Sequence, residues 1–96
     1  MQRSMARFYT WALEHLKQEG YTPTSDELAT ALAALPEGQR TVLEGIVEGK
    51  GIHELARELG ISPSAARNRA YHGRANLKAL LVRLIQRRLP TVPLSS

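Results

Sequence analysis

From Ser62 to Arg74 the chain reads Ser-Pro-Ser-Ala-Ala-Arg-Asn-Arg-Ala-Tyr-His-Gly-Arg. These side chains suit recognition better than bond-making. An Asn amide can pair with an adenine edge through two hydrogen bonds, an Arg with a guanine edge or a phosphate, and a Ser hydroxyl with either base or backbone. If the segment is helical, Ala66, Ala70, Gly73 and Leu77 form one inner stripe. A helical wheel drawn on that stripe aims Ser64, Asn68 and Tyr71 outward. Arg67 and Arg74 then share one flank, and Arg69, His72 and Asn76 the other. Ser62 and Ala65 complete the surface at its start. Two readings stay open. Arg69 either reaches a phosphate or pairs with Glu54 or Glu58 on the preceding helix, and Tyr71 either meets a base or covers the edge of the core. Arg57 can reach a phosphate from that preceding helix, although an exposed helical Arg needs no function.

Other chemistry finds no support in the residue spacing. His15, His53 and His72 fall on three different helices, and none pairs with another ligand in a zinc motif. There is no Cys, so thiolate metal sites and disulfides are excluded. No nucleophile elbow and no Gly-rich phosphate loop occurs. The expectation is therefore no enzyme, no metal and no cofactor. Phe8, Tyr9 and Trp11 sit on a mildly acidic helix and read as core, not as a base-stacking platform.

The charge is unevenly placed. Residues 1–35 carry three basic and four acidic side chains, whereas residues 36–96 carry ten and five. No acid follows Leu59, while Arg67, Arg69, Arg74, Lys78, Arg83, Arg87 and Arg88 do. A solvated charged face normally interleaves both signs, so a run of one sign points to a polyanion. An acidic membrane surface fits less well, because the basic groups spread around the helix instead of lining one face. With 96 residues, one domain is expected. No apolar run approaches a membrane span, and the N-terminus lacks the pattern of a signal peptide, so a cytoplasmic protein is expected.

Five helices and no strands are predicted. The first runs from about Ser4 to Glu19 with the stripe Met5, Phe8, Ala12, Leu16, and Gly20 stops it. Thr24-Ser25-Asp26-Glu27 has capping-box spacing and opens a second helix whose apolar positions are Leu28, Ala31, Leu32 and Leu35. Pro36 ends that helix or starts the next, which turns Val42, Leu43, Ile46 and Val47 inward. Gly49-Lys50-Gly51 connects to a short fourth helix, with Gly51 as N-cap and Glu54 placed to bond back to it. Its stripe is Ile52, Leu55, Ala56, Leu59. Gly60 stops it, Ser62 caps the fifth helix, and Pro63 is that helix's first residue. The fifth helix is expected to reach Leu89, where Pro90 blocks it. A short helix, a Gly-containing turn and a second basic helix make the helix-turn-helix pattern, which places one helix in the DNA major groove. The division is an N-terminal helical extension at 1–34, the helix-turn-helix unit at 35–89 and a disordered tail at 90–96, all within one compact domain.

Residues Leu35 to Leu81 resemble region 4 of bacterial sigma factors, especially the extracytoplasmic-function type. Leu35-Pro36 with Arg40, Val42 and Leu43 matches the opening helix of that family. Glu54-Leu55-Ala56 and Leu59-Gly60-Ile61-Ser62 match its helix-turn-helix core, and Arg67-Asn68-Arg69, Arg74 and Leu77 its recognition helix. The LuxR-like helix-turn-helix shares much of the pattern, but the Leu-Pro opening and the Arg-rich exit favour the sigma type. Ser64-Ala65-Ala66 stands where the family usually has Gly-Thr-Val, and Ala70 where it usually has Leu. No counterpart of region 2 is seen, and residues 1–34 are too short for one. The resemblance implies promoter reading and docking on the flap of the RNA polymerase β subunit or beside a separate sigma-like subunit.

The expected function is a sequence-specific transcription regulator that binds double-stranded DNA with the helix from Pro63. The alternative is a protein-interaction module (polymerase-binding, split-sigma subunit or sigma/anti-sigma partner) with little DNA affinity of its own. Two apolar sets need cover: Leu80, Leu81, Leu84, Ile85 and Leu89 beyond the motif, and Met5, Phe8, Trp11, Ala12 and Leu16 on the first helix. They are expected to bury each other, within one chain or across a homodimer. Otherwise Phe8, Trp11, Leu81, Leu84 and Ile85 form a partner-binding surface. The small residues Ala66, Ala70 and Gly73 are expected to allow close approach of the helix bearing Leu55 and Leu59.

Overall fold

In the computed structural model the described residues are 3–17 and 20–88, with side chains described from residue 6 onward. They form α1 (Arg3–Lys17), α2 (Ser25–Ala34), α3 (Glu37–Val47), α4 (Ile52–Leu59) and α5 (Pro63–Arg88), with no strand among them. The side chain of Met5, the residue Leu89 and the tail 90–96 lie outside the described residues.

Local chemistry sets most boundaries. Thr24 and Glu27 close the expected capping box. The Glu27 amide donates to Thr24 Oγ1 at 3.1 Å, and the Thr24 amide donates to Glu27 Oε1 at 2.8 Å. Pro36 is the N-cap of α3, one position earlier than a first-turn proline. Gly51 caps α4 with extended backbone, but no side-chain bond completes that cap, so Glu54 does not reach back. Gly60 ends α4 at φ 67°, ψ 34°, the left-handed conformation that a side chain disfavours. The Ile61 amide then donates to the Ala56 carbonyl at 3.0 Å, which reverses the chain. Ser62 Oγ accepts the Ala65 amide at 3.1 Å, so the expected N-cap of α5 is formed.

The larger core joins every helix except α4. Phe8, Ala12 and Leu16 of α1, Leu28, Ala31, Leu32 and Leu35 from α2 and its end, Leu43 of α3, and Leu77, Leu81 and Ile85 of α5 are buried together. A smaller cluster of Val42, Leu55 and Ala70 holds α3, α4 and α5 at the helix-turn-helix. The described members of the two apolar sets thus fall in or against one core within a single chain. α2 packs along α5, and α1 packs on α2 and α3. Phe8, Leu81 and Ile85 are core residues, which corrects the reading of them as an exposed partner surface. Trp11 and Leu84 are half-buried against the same core.

The small-residue stripe of α5 also needs correction. Ala66 and Ala70 are buried, and Ala70 meets Leu55 of α4 as expected. Gly73 faces α3 instead, where a Cβ would lie 3.1 Å from Leu43 Cδ1 and 3.3 Å from Gln39 Cβ. At Gly45 of α3, Leu55 Cδ2 of α4 fills the place a Cβ would take.

Candidate nucleic-acid interface

The first half of α5 presents its inner stripe to α3 and α4 and leaves the opposite arc in solvent. Ser62, Ser64, Arg67, Asn68, Tyr71, His72 and Arg74 are exposed, and Ala65 and Arg69 are half-buried. Ser64, Arg67, Asn68 and Tyr71 follow one another along the helix at i, i+3, i+4 and i+7, so one continuous surface carries them. Ser62 stands at its edge with its oxygen committed to the cap. Arg74 lies farther along, beside Trp11 and His15 of α1 and Ile46 and Val47 of α3.

The two flanks of α5 differ. On one, Arg67 has no acid partner among the described residues. On the other, Arg69 extends over Gly38 in the first turn of α3, its Nη1 3.3 Å from where a Cβ would be. It pairs with neither Glu54 nor Glu58. Glu58 is taken by Lys50, whose Nζ is 2.9 Å from Glu58 Oε1. That hydrogen bond raises the Lys50 pKa above its ordinary value. Asn76 Nδ2 donates to Gln39 Oε1 at 2.8 Å, so this flank also leans on α3. Tyr71 is 70% exposed, which excludes the core-edge reading.

Contacts that sequence reasoning missed set the pose of this surface. Gly38 and Gln39 seat the Arg69–Asn76 side of α5, and the sole hint was a Gly inside an otherwise helical stretch. Arg7 Nη1 donates to the Val47 carbonyl at 2.7 Å, tying α1 to the C-terminal end of α3. At the far end of α5, Arg88 Nε donates to Glu27 Oε2 and Nη2 to the Thr22 carbonyl, each at 2.9 Å. The Arg88 hydrogen bond holds the Glu27 carboxyl below its usual range, assisted by Thr24. Gln86 Nε2 donates to Tyr21 Oη at 3.2 Å beside it. These distal contacts tie the C-terminal end of α5 to the start of α2 and the segment before it.

Three helices, α3 to α5, packed around Val42, Leu55 and Ala70, with a left-handed Gly60 between the last two, define a helix-turn-helix protein. The sequence model of a family described as "Sigma-70, region 4" matches residues 25–77, more than half of the chain. The chain therefore belongs to the sigma-70 region 4 family, which places it in transcription and gives it, at family level, a DNA-binding helix-turn-helix. The matched span runs from the capping box of α2 to Leu77, so α1 stands outside it. No curated protein and no solved structure matches the chain. Among the described residues no helix is long and apolar enough to cross a membrane, and no group of His, Asp or Glu is placed to hold a metal ion.

Proposed function

We propose that this protein is a sequence-specific DNA-binding regulator of transcription that lays the first half of α5 in the major groove. One observation carries the reading. The solvent arc of that helix combines Ser64, Arg67, Asn68 and Tyr71, all exposed, with no acid anywhere after Glu58. Asn68 is the candidate for an adenine edge, and Arg67 for a guanine edge or a phosphate. Arg74 and His72 are candidates for the backbone on either wall of the groove.

A salt-dependent mobility shift on duplex DNA tests this. Phosphate neutralisation gives a steep loss of affinity with salt, about 0.9 in log–log slope per phosphate contacted. Arg67→Ala or Asn68→Ala should each cost about 1–3 kcal/mol and relax sequence preference. Arg83→Ala should change little, since it lies about 24 Å farther along the helix axis. Equal small losses for all three variants would show a generic cation instead of a reading helix.

A second reading, a polymerase- or sigma-binding module with little DNA affinity, is favoured by a groove between α1, α3 and α5. It measures about 370 Å³ and is lined by Phe8, Trp11, Leu43, Ile46, Val47 and Leu77, among others. A shallow salt slope together with pull-down of RNA polymerase would favour that reading.

A further inference from the structure

We infer that Tyr71 is a specificity residue whose ring packs against the C5-methyl group of a thymine in the major groove. This rests on the DNA reading above and adds the base and the group recognised.

The other aromatic side chains among the described residues serve the fold. Phe8 is buried, and Tyr9, Trp11 and Tyr21 are half-buried against the core. The hydroxyl of Tyr9 donates to the Pro23 carbonyl at 2.9 Å, and that of Tyr21 accepts from Gln86. Tyr71 does neither. It is 70% exposed, it stands alone as a large hydrophobic side chain left in solvent, and its hydroxyl has no protein partner among the described residues. Folding therefore does not account for an aromatic ring at this position.

Its surroundings say what the ring can meet. Arg67 and Asn68 lie one turn before it, and Arg74 one turn after. Long side chains on a helix lean toward its N-terminus, which for Tyr71 is the direction of the turn that bears Arg67 and Asn68. His72 meets it edge-on, with centroids 5.4 Å apart and planes at 82°. An apolar ring beside an amide suited to adenine, on a helix lying in the major groove, will meet base edges. The apolar group displayed there is the thymine methyl, which cytosine and both purines lack. Asn68 and Tyr71 together thus suit an A·T-containing step.

The test uses the full chain. Bound duplexes are first selected from a random library with the wild-type protein. Each thymine of the selected site is then replaced by uracil, which removes the methyl and keeps every hydrogen-bonding group. At one or two positions the wild type should lose about fourfold in affinity, the equivalent of one buried methyl-sized group. Tyr71→Ser should show no such loss at those positions, while Tyr71→Phe should retain it. Unchanged melting of Tyr71→Ser would confirm that the fold is intact. The inference is overturned if no uracil replacement weakens the wild type although the selected site is still bound specifically. It is equally overturned if Tyr71→Phe behaves like Tyr71→Ser, because the hydroxyl and not the ring would then make the contact. A selection that enriches no sequence removes the DNA reading itself, and this inference with it.

Discussion

Replacing Gly45 by alanine should destabilise the helix-turn-helix, although alanine is the better helix former. A Cβ at this position would occupy the space of Leu55 Cδ2, with Leu55 Cδ1 and Cγ each 3.2 Å away. Leu55 cannot step aside cheaply. It is 3% exposed and packs with Val42 and Ala70 in the small cluster that holds α3, α4 and α5. Removing a glycine from a helix interior gains about 0.8–1 kcal/mol. Forcing a methyl into a filled interior costs about 1–3 kcal/mol. The net expectation is a loss of about 1 kcal/mol, a fall in Tm of roughly 4–8 °C for a domain of this size. Thermal unfolding followed by circular dichroism reads this directly. Leu55→Ala alone should cost about 2–5 kcal/mol by leaving a cavity. In the double variant the new methyl enters that cavity, so Gly45→Ala should add no further loss. Coupling of about 1 kcal/mol between the two sites is therefore expected. Gly38→Ala is the control of opposite sign. The nearest atoms there belong to the movable end of Arg69, so the change should stabilise, by less than the roughly 0.5–1 kcal/mol of a mid-helix site because Gly38 lies in the first turn. A rise in Tm for Gly45→Ala, or strict additivity with Leu55→Ala, would show that α3 and α4 are not in contact at this point.

Three further outcomes can be checked by unfolding experiments. Ala70 is 2% exposed between Val42 and Leu55, so Ala70→Leu, which introduces the family's usual residue, should cost about 1–3 kcal/mol; a higher Tm would reveal an unfilled cavity. Deleting residues 1–19 removes the buried Phe8, Ala12 and Leu16. The two larger side chains alone contribute about 3–6 kcal/mol, a large share of a small domain's stability, so aggregation or melting is expected, and a monomer of unchanged Tm would refute the packing of α1. The Glu27 carboxyl is held below its ordinary pKa of 4.5, chiefly by the Arg88 hydrogen bond. Its contribution is therefore complete above that value and is lost as pH falls through the lower folded pKa. The Tm of the wild type should drop toward that of Glu27→Gln on acidification, and parallel curves for the two proteins would exclude the link.

Much of the architecture was legible in the residues because helix boundaries and inner faces are local properties. The Thr24–Glu27 box, the Gly60 stop and the Ser62-Pro63 start each act within one or two turns, and each is formed. The apolar period named Leu28, Ala31, Leu32 and Leu35 on α2, and Ala66, Ala70, Gly73 and Leu77 on α5, and all eight are buried. Two local expectations missed: Pro36 caps α3 instead of opening it, a shift of one residue, and the return bond of Glu54 to Gly51 needed a side-chain rotamer as well as a spacing.

Periodicity fixes the direction of a side chain about its own helix axis and is silent about which helix stands opposite. Partner choice follows from crossing geometry, a sum over contacts between residues distant in the chain. Only the tertiary structure therefore set Gly73 against α3 instead of α4, packed α2 on both α1 and α5, and laid Arg69 over Gly38 while Lys50 took Glu58. The outward arc of α5 shows the same division. Its residue types were plain from the sequence, but the open choice at Tyr71 between core edge and solvent was closed by packing, because no neighbouring helix reaches that side of the turn.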